Sequence, residues 1–166
     1  MEEENIKNHP LFFDNPPPNE DDQGGEEDSL SIRLEKERTD RMKTIQELSK
    51  RIKDINFIHE LQVDVYSERQ NLLERYHYLF TLLAKQNAKI RAKKKKRFEY
   101  YANEYQYNAT PKQREEMIRV DLESEYDVRD ELDNQMKYIS GSMSTIDNII
   151  FGIKHRIDVE EYRRRM

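Results

Sequence analysis

Eight apolar residues near the end of the chain, Leu132, Met136, Ile139, Met143, Ile146, Ile150, Ile153 and Ile157, are separated by steps of 4, 3, 4, 3, 4, 3 and 4. A strand cannot use that pattern, because its side chains alternate with period two, whereas on a helix the steps trace one stripe. Sustained over three heptads, the stripe predicts a long helix with a coiled-coil or bundle seam. Either the seam is core within one subunit or it is the contact between subunits. Ile149 and Phe151 add apolar surface beside it, and few other segments remain to cover it. The pattern therefore favours self-association through Ile139, Met143, Ile146, Ile150, Ile153 and Ile157.

Nothing upstream opposes a helical reading. Four of the five prolines lie in the first 18 residues and glycine occurs only four times, so the remainder is free to form long helices. Met42, Ile45, Leu48, Ile52 and Ile55 keep helical spacing, and the pattern slips at Asn56-Phe57-Ile58-His59, which predicts a turn. A second helix is expected to carry Tyr66, Leu73, Tyr76, Phe80, Leu83, Ile90, Phe98 and Tyr101 on roughly one stripe. It should end before Asn108-Ala109-Thr110-Pro111. There Thr110 is a good N-cap, Pro111 suits the first helical position and Gln113 completes a Thr-x-x-Gln capping box. The fold class is all-α: a helical hairpin or bundle with a long basic central helix and a heptad-patterned C-terminal helix.

Residues 1–30 hold ten acids and one lysine, although the whole chain has a formal net charge of only -5. Pro16-Pro17-Pro18, Gly24-Gly25 and dense acids cannot bury enough apolar surface to offset chain entropy, so residues 1–29 read as a disordered acidic arm. Leu11-Phe12-Phe13 interrupts it, which makes Phe12 and Phe13 candidates for docking on a partner. The alternative is that the arm folds back over the lysine- and arginine-rich run at residues 85–97. The sequence then divides into the arm (1–29), a helical region with a dense run of cations (30–109) and a helical oligomerisation region (110–166).

Several classes of function are disfavoured. Without cysteine there is neither a disulfide framework nor a thiolate metal site. No glycine-rich phosphate loop is present, and Glu74-Arg75-Tyr76-His77 is a single E-x-x-H where a di-iron bundle needs two. No enzyme activity, catalytic residue, metal or cofactor is expected. The acidic start and the lack of an apolar run of about 20 residues argue against a signal peptide or membrane span and for a soluble intracellular protein.

Lys89, Arg91, Lys93, Lys94, Lys95, Lys96 and Arg97 place seven cations in nine positions. Elsewhere the chain alternates signs, as in EKERTDR, which limits self-repulsion on an exposed helix. Here no acid intervenes, and a polyanion would offset the repulsion by releasing counterions. Phe98, Tyr100, Tyr101, Tyr105 and Tyr107 follow, and Tyr100 is the candidate ring for stacking on a base. Single-stranded nucleic acid is the favoured partner. A structural coiled-coil protein whose basic run docks an acidic protein is the alternative. A basic-zipper transcription factor would need one continuous helix from the basic run into the heptads, and Thr110-Pro111 interrupts it.

The stretch Lys95-Lys96-Arg97-Phe98-Glu99-Tyr100-Tyr101 resembles the Lys-x-Arg-apolar-acid-Tyr-Tyr segment of the UvsY family, the recombination mediators of T-even-type phages. Ser140-Gly141 and Ile153-Lys154-His155 match a Ser-Gly and an Ile-Lys-His in the same order and spacing. The resemblance implies a helical subunit of a hexameric or heptameric ring that binds single-stranded DNA. It implies a role in recombination, repair and replication, helping a recombinase load onto DNA covered by single-strand-binding protein, in the cytoplasm of a bacterial host. It implies that Lys95 and Arg97 contact DNA. The chain departs from the family after Tyr101, where ANEYQYN (residues 102–108) replaces a glycine-rich break, and the acidic arm has no counterpart there.

Overall fold

The heptad stripe does lie on one long helix, and it is covered by the chain's own central helix. The protein is described by a computed structural model for residues 27–105 and 109–166. Within them are four α-helices: α1 (Glu27–Arg51), α2 (Ile58–Asn103), α3 (Pro111–Asp121) and α4 (Glu123–Arg165). With 46 residues, α2 is about 69 Å long at 1.5 Å per residue. The turn expected near Asn56 is a short 3-10 segment, Ile55–Phe57, preceded by an Asx contact in which Asn56 N–H donates to Asp54 Oδ1 at 3.0 Å. The capping box forms as expected. Gln113 N–H donates to Thr110 Oγ1 at 3.3 Å, and Thr110 N–H donates to Gln113 Oε1 at 2.9 Å. A further break at Leu122 separates α3 from α4. No glycine or proline marks it, so the residues gave no warning.

Ile139, Ile146 and Ile153 are buried to 1 % exposure or less, in one core with Leu34 and Leu48 of α1 and Ile58, Leu61, Val65, Leu72 and Leu79 of α2. Met143, Ile150 and Ile157 are half-buried against the same core. Ile139, Ile146 and Ile153, which the spacing assigns to a subunit interface, are instead core of one subunit, and Met143, Ile150 and Ile157 flank that core. The covering surface is a stripe of α2 through Ile58, Leu61, Val65, Leu72 and Leu79, not the expected one through Tyr66, Leu73 and Phe80. A shift of one residue turns a helix face by about 100°. The large rings drew the expected stripe off the leucines, and Tyr66, Phe80 and Phe98 are 49 %, 58 % and 52 % exposed.

Polar contacts set the register of α1. It runs antiparallel to α2, with Arg51 on Asp64 (2.6 Å), Arg41 on Glu68 (3.2 Å) and Arg75 in a bidentate pair with Glu37 (2.6 Å at the shortest). Fully buried Gln135 of α4 accepts from Arg38 Nε at 2.5 Å, and Tyr138 Oη donates to the Arg38 carbonyl at 2.9 Å. Because α1 is little more than half as long as α2, its first turn, at Leu30, comes level with Leu82 and Lys85. Past that point α2 packs on α3 and the start of α4, around a second small core of Tyr101, Ile118 and Leu122. The helical regions 30–109 and 110–166 are thus one packed unit, and its first helix begins at Glu27, inside the expected arm.

Gly141 lies in the middle of α4, where a glycine costs about 1 kcal/mol against alanine. A methyl group built there meets nothing within 4 Å, so packing does not account for the glycine. Among the described residues no helix is long and apolar enough to cross a membrane.

Candidate nucleic-acid interface

The basic run wraps around α2, and packing sorts it into an inner and an outer set. Continuing inward from Leu79, the positions that face α3 and α4 are Gln86, Ile90, Lys93, Arg97 and Tyr101, three of them polar or charged. Each of those three meets an acid. Glu125, 5 % exposed, takes a salt bridge from Lys93 Nζ and a second from Lys89 Nζ at 3.4 Å; Gln86 Nε2 donates to its carboxylate at 3.0 Å. Burial pushes the Glu125 carboxyl up. The hydrogen bonds from Lys93 and Gln86 and the charges of Lys89 and Lys93 outweigh it, and hold the group below its ordinary value. Arg97, 7 % exposed, lies 3.5 Å from Asp121, which also accepts from Tyr101 Oη at 2.8 Å. Burial first, and that hydrogen bond second, push the Tyr101 phenol far up.

Three expected contacts, Lys93, Arg97 and Tyr100, are corrected by this packing. Arg97 and Lys93 hold α2 against α3 and α4, and Lys89 divides its charge between Glu125 and solvent, its side chain being 46 % exposed. Tyr100 is half-buried in an edge-to-face cluster, with ring centroids 5.1 Å from Tyr101 and 6.2 Å from Tyr105, so its ring is committed to the small core. Tyr107, Leu11, Phe12 and Phe13 lie outside the described residues.

The outer set is Arg91, Lys94, Lys95 and Lys96, all exposed. Arg91, Lys94, Lys95 and Phe98 stand at i, i+3, i+4 and i+7, the spacing that gathers side chains on one helical face. Phe98 is therefore an exposed ring among three cations, and the same spacing in the sequence would have revealed it had Phe98 not been counted as core. The pair Lys95–Glu99, at 4.0 Å with both side chains mostly exposed, is too loose to withdraw Lys95 from this face. Lys96 falls on the opposite side of α2, in line with Lys85 and Lys89.

No family model, curated protein or solved structure matches the chain.

The Glu125 cluster makes stability depend on pH with a definite sign. Its folded value lies below its ordinary 4.5, so its contribution is complete above 4.5 and is lost as pH falls through the lower folded value. Glu125→Gln should cost about 2 kcal/mol near neutral pH, the scale of hydrogen bonds to a charged group. It should also flatten the acid limb of stability against pH. Urea unfolding measured between about pH 3 and 7 tests both.

Proposed function

We propose that the protein binds single-stranded DNA on the face formed by Arg91, Lys94, Lys95 and Phe98, and serves as a recombination mediator. Its task would be to help a recombinase displace single-strand-binding protein and load, in the cytoplasm of a bacterial host. The observation that carries the binding is the half-exposed Phe98 ring on the same face as three exposed cations, with no acid between Lys85 and Phe98. Cations meet phosphates and the ring stacks on a base without regard to its identity. The mediator role rests on the short segments similar to the UvsY family. A homo-oligomeric ring, hexameric or heptameric, is part of the same reading. With the α4 seam inside the subunit, the ring contacts fall to exposed apolar residues such as Val63, Tyr66 and Phe80 of α2 and Phe151 of α4.

One observation favours the rival reading, docking of an acidic protein: the inner half of the same basic run already takes carboxylates from Glu125 and Asp121. The ring separates the two. Phe98→Ala should weaken binding of a labelled oligonucleotide by roughly 5- to 150-fold, the loss of one stacked base at about 1–3 kcal/mol. Binding of a polyglutamate chain, which offers no base to stack, should stay nearly as it was. Equal effects on the two ligands would count against nucleic acid.

A further inference from the structure

Where α1 begins, the helices leave an open groove of ≈ 470 Å³, in the range of ligand-sized clefts. Its apolar wall is Leu82 of α2 with Val128 and Leu132 of α4, and Arg33, Arg75, Lys85 and Lys89 border it. No acidic residue is among its described lining residues. Arg75 and Lys89 already engage Glu37 and Glu125, but the Lys89 side chain stays 46 % exposed and Lys85 is exposed at the open side. A surface that is apolar at the bottom and cationic at the edge fits an acidic segment with a few adjacent apolar side chains.

The chain contains one such segment, and it is tethered at this groove. Residues 1–26 carry eight acids against Lys7, and Leu11-Phe12-Phe13-Asp14 sets three apolar side chains beside an acid. The segment joins α1 at Glu27, one turn before Leu30, which itself lines the groove. Fourteen residue steps lead from Phe13 to Glu27, enough to reach about 46–50 Å when extended, so the segment can fold back with slack. A short tether also raises the local concentration to about the millimolar range, where even weak apolar and ionic contacts are occupied.

We propose that residues 1–26 dock in this groove of their own subunit, with Leu11, Phe12 and Phe13 against Leu82, Val128 and Leu132, and the flanking acids on Lys85 and Lys89. Docking covers the side of α2 that carries Lys85 and Lys89 and leaves the Arg91–Lys94–Lys95–Phe98 face open. It does not depend on the nucleic-acid reading.

The cysteine-free chain permits a direct test on the full-length protein. Spin labels at Asn15→Cys and Ala88→Cys report the separation of the arm from the groove by pulsed electron resonance. The expected result is a narrow, short-distance population that broadens on Phe12→Ala/Phe13→Ala, on Lys85→Glu and in about 1 M salt, where the Debye length falls to about 3 Å. A broad distribution indifferent to all three changes would overturn the proposal. So would a short distance that vanishes when the doubly labelled chain is diluted into excess unlabelled chain, since the arm would then be seated on a neighbouring copy.

Discussion

Ile146→Ala will lower the unfolding free energy by about 3–4 kcal/mol, within the range for emptying a fully enclosed isoleucine site. The residue has 0 % exposure and lies in the core shared by α1, α2 and α4. Denaturant titrations at two protein concentrations about a hundredfold apart provide the check. A seam internal to the subunit gives the same loss and the same midpoint at both, whereas a seam between subunits would shift the midpoint with concentration. Deleting residues 139–166, which on the sequence alone would only disperse an assembly, should instead unfold the chain, because α2 would lose most of the surface it is packed on.

The triple substitution Arg91→Glu/Lys94→Glu/Lys95→Glu should reduce affinity for a single-stranded oligonucleotide on the order of 100-fold at moderate salt. It should also flatten the salt dependence by about 2 in log–log slope, at roughly 0.7 for each phosphate no longer neutralised. Helicity and thermal midpoint should hardly change, since all three side chains are exposed. Arg97→Glu makes the contrast. It would set a carboxylate beside Asp121 at a site 7 % exposed, and loss of folding at the α2–α3 end would precede any effect on binding. An oligonucleotide affinity unmoved by the triple change would remove the proposed face.

The residues disclosed the helices more readily than the way their faces combine. Thr110, Pro111 and Gln113 announced the start of α3 because a capping box is local chemistry, complete within four positions. The α4 stripe was equally plain, yet its partner was not. Tyr66, Phe80 and Phe98 weigh as much as leucines in a periodicity, and only packing reveals that Val65, Leu72 and Leu79 face inward. In the basic run, sequence cannot show that Glu125 and Asp121, 32 and 24 residues beyond Lys93 and Arg97, return to claim them. Charge that looked uniformly available is divided by contacts formed across a turn. Leu122 ends α3 without any residue that favours a break, its place fixed by the small core it fills.

The polar band at Gln86, Lys93, Glu125, Arg97 and Asp121 also has a dynamic consequence. It lies between the large apolar core and the small aromatic one, and α1 does not extend over the far end of α2. Ionic contacts weaken with salt and acid while the isoleucine–leucine core does not. The end formed by Tyr101, Ile118 and Leu122 should therefore open as a separate cooperative unit, at lower free energy than the rest. Amide exchange would then divide the single helix α2 into a slow half before about residue 82 and a fast half after it. Arg91, Lys94, Lys95 and Phe98 would belong to the half that yields first, so a ligand gripping that face would be felt as a gain in local order.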